Sequence, residues 1–118
     1  MKVLFVYNSA FLPGNGVSTS VRVTTKRLRE AGLDVKILSA ENADPDGHQP
    51  EFRLRRFHFP IFQPLIDHNS YCFAKDDWNV IRKAVDWADI VHIEEAFFLE
   101  HKVARYAEKI GKPMVGTF

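Results

Sequence analysis

Cysteine is nearly absent: Cys72 is the single one in 118 residues. No intramolecular disulfide can form, and no zinc site that needs two or more thiolates is available. A lone thiol fits a reducing compartment. Charge of one sign is equally scarce, since 16 Lys plus Arg face 15 Asp plus Glu and leave a formal charge of +1. Without a global basic excess, counterion release cannot drive nucleic-acid binding, so any basic function has to be local. Long apolar runs are missing too. The N-terminal run Val3 to Tyr7 is shorter than the roughly 7–15 residues of a signal-peptide core and far below the roughly 20 that span a bilayer. The expected location is therefore cytoplasmic, with no nucleic-acid partner. No internal repeat, low-complexity tract or GxxxxGK[ST] phosphate loop occurs.

What is present is a globular composition, 46% hydrophobic and 26% charged, which sets the chain apart from disordered and fibrous classes. At this length folding buries roughly two-thirds of the unfolded surface, enough for one compact domain with a core that needs no staples. Val3-Leu4-Phe5-Val6-Tyr7 is continuous, β-branched and aromatic, the pattern of a central parallel strand covered on both faces. After the turn formers Pro13 to Gly16, residues Val17, Val21, Thr24, Leu28 and Ala31 recur at a helical period, and Gly32 supplies a C′ stop. Asp34 to Ser39 reads as a second strand, Ala40 to Gln49 as a surface loop, and Phe52 to Phe59 as a third strand ended by Pro60. Ala74, Trp78, Ile81, Val85 and Ala88 then step by four and three, predicting an amphipathic helix. Ile90 to Ile93 forms a fourth strand. A helix with Leu99, Val103, Tyr106 or Ala107, and Ile110 on one face follows, closed by Gly111 and Pro113, and Met114 to Phe118 begins a fifth strand.

This alternation predicts the α/β class, a doubly wound, mostly parallel, Rossmann-like sheet with right-handed crossovers. A final parallel strand with no helix after it lacks cover on one face. Residues 1–118 are therefore expected to be part of a longer protein, and the bare edge of strand five to promote self-association.

In the strand order 3-2-1-4-5, the switch point lies between strands one and four, and ligands bind beyond their carboxyl ends. Two segments reach that crevice. In the first, Gly14, Asn15, Gly16, Val17 and Ser18 lead into a helix whose free N–H groups and positive dipole end suit an anionic oxygen. An ordinary turn with an N-cap accounts for the same residues. Thr19 stands where a dinucleotide fingerprint has its third glycine, while Glu41 past strand two keeps a dinucleotide-dependent oxidoreductase in view. In the second segment His92, Glu94 and Glu95 place an imidazole and two carboxylates where they can hold sugar hydroxyls or assist proton transfer. His92 equally fits a buried histidine bonded to backbone. The zinc deaminase version of His-x-Glu is excluded by the missing cysteine pair.

Two basic groups, Arg22, Lys26, Arg27 and Arg29 on the first helix and Arg53, Arg55, Arg56 and His58 on the third strand, fit either solvated faces or peripheral contact with an anionic membrane. The long connection from Pro60 to Phe73, rich in Phe, Ile, Tyr and His, has the character of a lid or binding wall.

As an ordered set these residues resemble a known family. MKVLFVYNSAFLPGNGVSTSVRVTTKRLREAGLDVKILSA is similar to the opening of family 4 glycosyltransferases, with Gly32-Leu33-Asp34-Val35 in place of their Gly-His-Glu-Val. ADIVHIEEAF, Ala88 to Phe97, resembles their Asp-Val-Val-His strand, and GKPMVGTF, Gly111 to Phe118, their fifth strand. The resemblance implies the N-terminal, acceptor-side domain of a GT-B enzyme, with the donor-binding domain lying outside these 118 residues. It further implies retaining transfer of a sugar from a nucleotide-sugar donor to an acceptor, no cofactor and no obligatory metal, and inactivity of this part alone. Asn15 departs from the family's usual glycine pair, and the histidine that follows the family's fifth strand is not among these residues. No catalytic residue is assigned. A non-catalytic binding module using the same crevice is the remaining alternative.

Overall fold

The computed structural model describes residues 1–7, 16–40, 49–57, 73–75, 77–94 and 98–116. In chain order the elements are β1 (Lys2–Val6), α1 (Gly16–Glu30), β2 (Asp34–Ala40), β3 (Phe52–Leu54), β4 (Arg56–Phe57), β5 (Phe73–Ala74), α2 (Trp78–Trp87), β6 (Ile90–Ile93), α3 (Phe98–Lys109) and β7 (Met114–Gly116). Five strands form one sheet in the order β3-β2-β1-β6-β7, parallel throughout. This is the doubly wound order expected from the sequence, with β6 and β7 as strands four and five.

β1 sits at the centre because each of its residues from Val3 onward finds apolar cover on one face or the other. Val3, Phe5 and Tyr7 join Val21, Val35 and Ile37 in a cluster flanked by Leu28 and Leu33, on the α1 side of the sheet. Leu4 and Val6 join Leu38, Val91 and Ile93 on the opposite side, beneath Ile81, Ala84 and Val85 of α2 and Leu99, Val103 and Ala107 of α3. The period of two in the strands and of three or four in the helices thus distributes a single sheet between two apolar layers.

α1 and α3 stop in the same way. Gly32 and Gly111 adopt φ of 92° and 72°, a conformation that side chains disfavour. Gly32 N–H donates to Arg29 O and Leu33 N–H to Leu28 O, while Gly111 N–H donates to Glu108 O and Lys112 N–H to Ala107 O. Both are paired C-terminal bonds of the Schellman type, and they satisfy carbonyls that the helix leaves open. α2 is fixed at its start instead, where the Asp77 carboxylate accepts from the N–H groups of Asn79 and Val80.

Several expected boundaries are corrected. The third strand does not run from Phe52 to Phe59: β3 ends at Leu54, paired with Ala40 of β2, and Arg55 interrupts the strand. The chain then pairs Arg56 and Phe57 antiparallel with Ala74 and Phe73 in a separate two-stranded sheet. Ala74 is consequently a strand residue, and the helix begins only after the Asp77 cap. On α1 the buried threonine is Thr25, not Thr24, and Ala31 is exposed. Thr25 tolerates burial because its hydroxyl donates to the Arg22 carbonyl. In α3 Ala107 is buried and Ile110 lies exposed beyond the helix end. Phe118, His58 and the connection from Pro60 to Cys72 lie outside the described residues.

Candidate functional site

A parallel sheet leaves its binding crevice at the carboxyl ends of the strands on either side of the switch point, here β1 and β6. Backbone bonds tie these ends into the sheet, β1 to β2 and β6 to β1. Tyr7 N–H donates to Leu38 O at 3.1 Å and Glu94 N–H to Val6 O at 3.3 Å. Glu94 is therefore the last ladder residue before the chain leaves β6, and its position is set by β1.

Alternation along β6 sends Val91 and Ile93 into the α2–α3 layer, which puts His92 and Glu94 together on the α1 side. Their side chains meet: His92 Nε2 lies 2.8 Å from Glu94 Oε1. The imidazole also stacks on Phe5 of β1, with ring centroids 4.4 Å apart and planes 18° from parallel. Side-chain exposure is 22% for His92 and 12% for Glu94, so the pair is largely desolvated yet open on one side. His92 is thus paired to a carboxylate on a partly open face, rather than being the fully buried histidine that the sequence also allows.

The first turn of α1 holds Gly16, Val17 and Ser18. α1 connects two adjacent parallel strands and must run back along the sheet, so its N-terminus lies at the crevice end. The turn has no acidic residue, leaving the N–H groups and the positive dipole end unopposed by a carboxylate of their own helix. Gly14, Asn15 and Glu95 lie outside the described residues, as does Glu41. His101 of α3 is exposed.

One carboxylate escaped the sequence reading. Glu100, in the first turn of α3, is only 1% exposed. α3 packs over both β1 and β6, so this buried acid lies on the opposite side of the sheet from the His92–Glu94 pair, at the same carboxyl end. A signal was available: Glu100 falls three residues before Val103 and seven before Ala107, on the buried stripe of the helix. Among the described residues no group of three or more His, Cys, Asp and Glu side chains is placed to hold a metal ion. No described helix is long and apolar enough to cross a membrane.

Comparison with curated proteins returns no match. The family model of Glycosyltransferase Family 4 matches residues 14–118, from the approach to α1 through β7 and beyond. A match over nearly the whole chain, together with the parallel order β3-β2-β1-β6-β7, assigns the fold to the Rossmann-like N-terminal type found in GT-B enzymes. This chain belongs to Glycosyltransferase Family 4.

Proposed function

We propose that this chain is the acceptor-side domain of a retaining glycosyltransferase that moves a sugar from a nucleotide-sugar donor to a hydroxyl acceptor. The observation that carries the reading is the largely buried His92–Glu94 pair at the carboxyl end of β6, beside the switch point of a sheet of this family. A carboxylate accepts hydrogen bonds from hydroxyls and repels phosphate, so it suits the acceptor rather than the donor diphosphate. The diphosphate is assigned to the other wall: the α1 turn of Gly16, Val17 and Ser18 with Gly14 and Asn15 before it, and the second GT-B domain. There, N–H dipoles and basic side chains would stabilise charge developing on the leaving group. Glu95, next to Glu94 in sequence, is assigned to the acceptor side as well.

With one of two domains, residues 1–118 alone are expected to transfer no sugar. The enzyme is expected to work in the cytoplasm, with the exposed Lys26 and Arg27 of α1 assigned to contact with an anionic membrane surface, while Arg22 donates to Thr19 Oγ1. Arg29 is already engaged by Glu51. Edge strand β7, exposed at all three residues, is the surface assigned to self-association, and light scattering across a concentration series tests it. Calorimetry of the full-length protein with UDP-, GDP- and ADP-sugars and with NAD(P) tests the main reading. Binding of a nucleotide sugar followed by transfer supports it; binding of NAD(P) alone would overturn it.

A further inference from the structure

We infer that His92 is a positioning residue that acts through Glu94, and that the acceptor head served by this pair is polyhydroxylated. The inference rests on the glycosyltransferase reading and deepens it. The geometry fixes Glu94 from two directions. Its backbone N–H is bonded to Val6 O, and its Oε1 lies 2.8 Å from His92 Nε2. His92 is fixed in turn by its stack on Phe5, itself 1% exposed on a strand held by parallel ladders on both sides. The floor under the imidazole is therefore a buried ring on a strand hydrogen-bonded on both sides.

A carboxylate has about four lone-pair sites. The imidazole takes one, and a proton on Nε2 suffices for that bond whether His92 is neutral or charged. Glu94 is 12% exposed at its side chain and has His92 as its polar side-chain partner among the described residues. A carboxylate so desolvated gains most from a ligand that brings several O–H donors. Vicinal hydroxyls of a sugar or polyol do so, whereas a phosphate brings negative charge instead. His92 does not need to touch the acceptor; it holds Oε1 and so leaves Oε2 as the oxygen assigned to the acceptor.

The test uses the full-length protein, with a nucleotide-sugar panel as donors and methyl glycosides, a polyol and a glycosylated polyprenyl phosphate as acceptors. Glu94→Ala and His92→Ala should each raise the acceptor KM roughly tenfold while the donor KM stays within about twofold. The double variant should be no worse than Glu94→Ala alone, because both changes remove one unit. His92→Gln, whose amide N–H can replace Nε2–H, should recover most of the loss. Where His92→Ala fails to fold, His92→Gln and Glu94→Gln carry the comparison, with thermal melting as the control. Additive effects, about a hundredfold in the double variant, or a His92 effect confined to the donor KM, would overturn the positioning role and leave the transferase reading standing. Absence of transfer from every nucleotide sugar would overturn that reading and the role of the pair with it.

Discussion

The two faces of the sheet are built to different standards. On the α2–α3 side, Leu4, Val6, Leu38, Val91 and Ile93 meet two helices and form an uninterrupted apolar layer. On the α1 side, among the described residues, one helix covers β1 and β2, and along β6 the residues are Ile90, His92 and Glu94, all only partly buried. The same strand therefore sends apolar side chains one way and an imidazole–carboxylate pair the other. The lesson is that a central strand can carry polar chemistry on a face it buries only in part: β6 holds an imidazole–carboxylate pair where both side chains keep some exposure. Among the described residues the α2–α3 face is the apolar one, and the α1 face carries the candidate site.

The largest effect expected from this division is on the dry face. Leu4→Ala, at a fully buried position, should cost about 3 kcal/mol by urea denaturation, whereas His92→Ala on the other face should cost about 1 kcal/mol. Equal costs would break the comparison. Next comes Gly16→Val at the start of α1, which should lower turnover of the full-length enzyme roughly tenfold with little change in melting temperature, because a side chain there crowds the approach of phosphate to the helix N–H groups. Unchanged kinetics would make this segment a turn and nothing more.

A smaller change is expected at the clasp that holds α1 against β2. Glu51 Oε1 is 2.6 Å from Arg29 Nη2, its Oε2 accepts from Ile37 N–H at 2.9 Å, and Arg29 also donates to Val35 O. Both side chains are more than a third exposed, so solvent screens the ion pair and Glu51→Ala should cost about 1 kcal/mol, mostly through the lost Ile37 bond. High salt should leave that cost nearly unchanged. Smallest is the outer surface of the α2–α3 layer, where Tyr106 donates to Asp86 at 2.9 Å. This hydrogen bond raises the phenol above its ordinary value, with desolvation and the Asp86 charge adding in the same direction. The neutral phenol is the favoured form, so the linked stability is complete at neutral pH and is lost as pH rises past the unfolded phenol's value through the folded one. Ultraviolet titration should show Tyr106 ionising above a free tyrosine, and Asp86→Asn should move it back down.

Much of this architecture is legible in the residues. The run Val3 to Tyr7 reads as a doubly covered strand because both of its alternating faces are apolar, and Gly32 and Gly111 mark helix ends because few other residues accept their backbone angles. The sequence is less informative wherever the outcome depends on a partner. β3 ends at Leu54 and the chain then pairs antiparallel with Phe73 and Ala74, a distant partner that nothing within Phe52 to Phe59 records. Thr25 is buried in place of Thr24, its hydroxyl bonded to the Arg22 carbonyl, a choice two adjacent threonines cannot display. At the site, His92 and Glu94 stand two apart on a strand, so their common face could be read directly, but the Phe5 ring beneath them comes from the register of β1 with β6. Glu100 is not legible as a buried group because an acid in the first turn of a helix ordinarily serves as an exposed partner of the dipole.

The most direct test of the account is the effect of Glu94→Ala on the two Michaelis constants of the full-length enzyme, measured in the same assay. If the α1 side of β6 is the acceptor wall, the acceptor KM rises roughly tenfold and the donor KM stays within about twofold. An equal rise in both, or a rise in the donor KM alone, would contradict it.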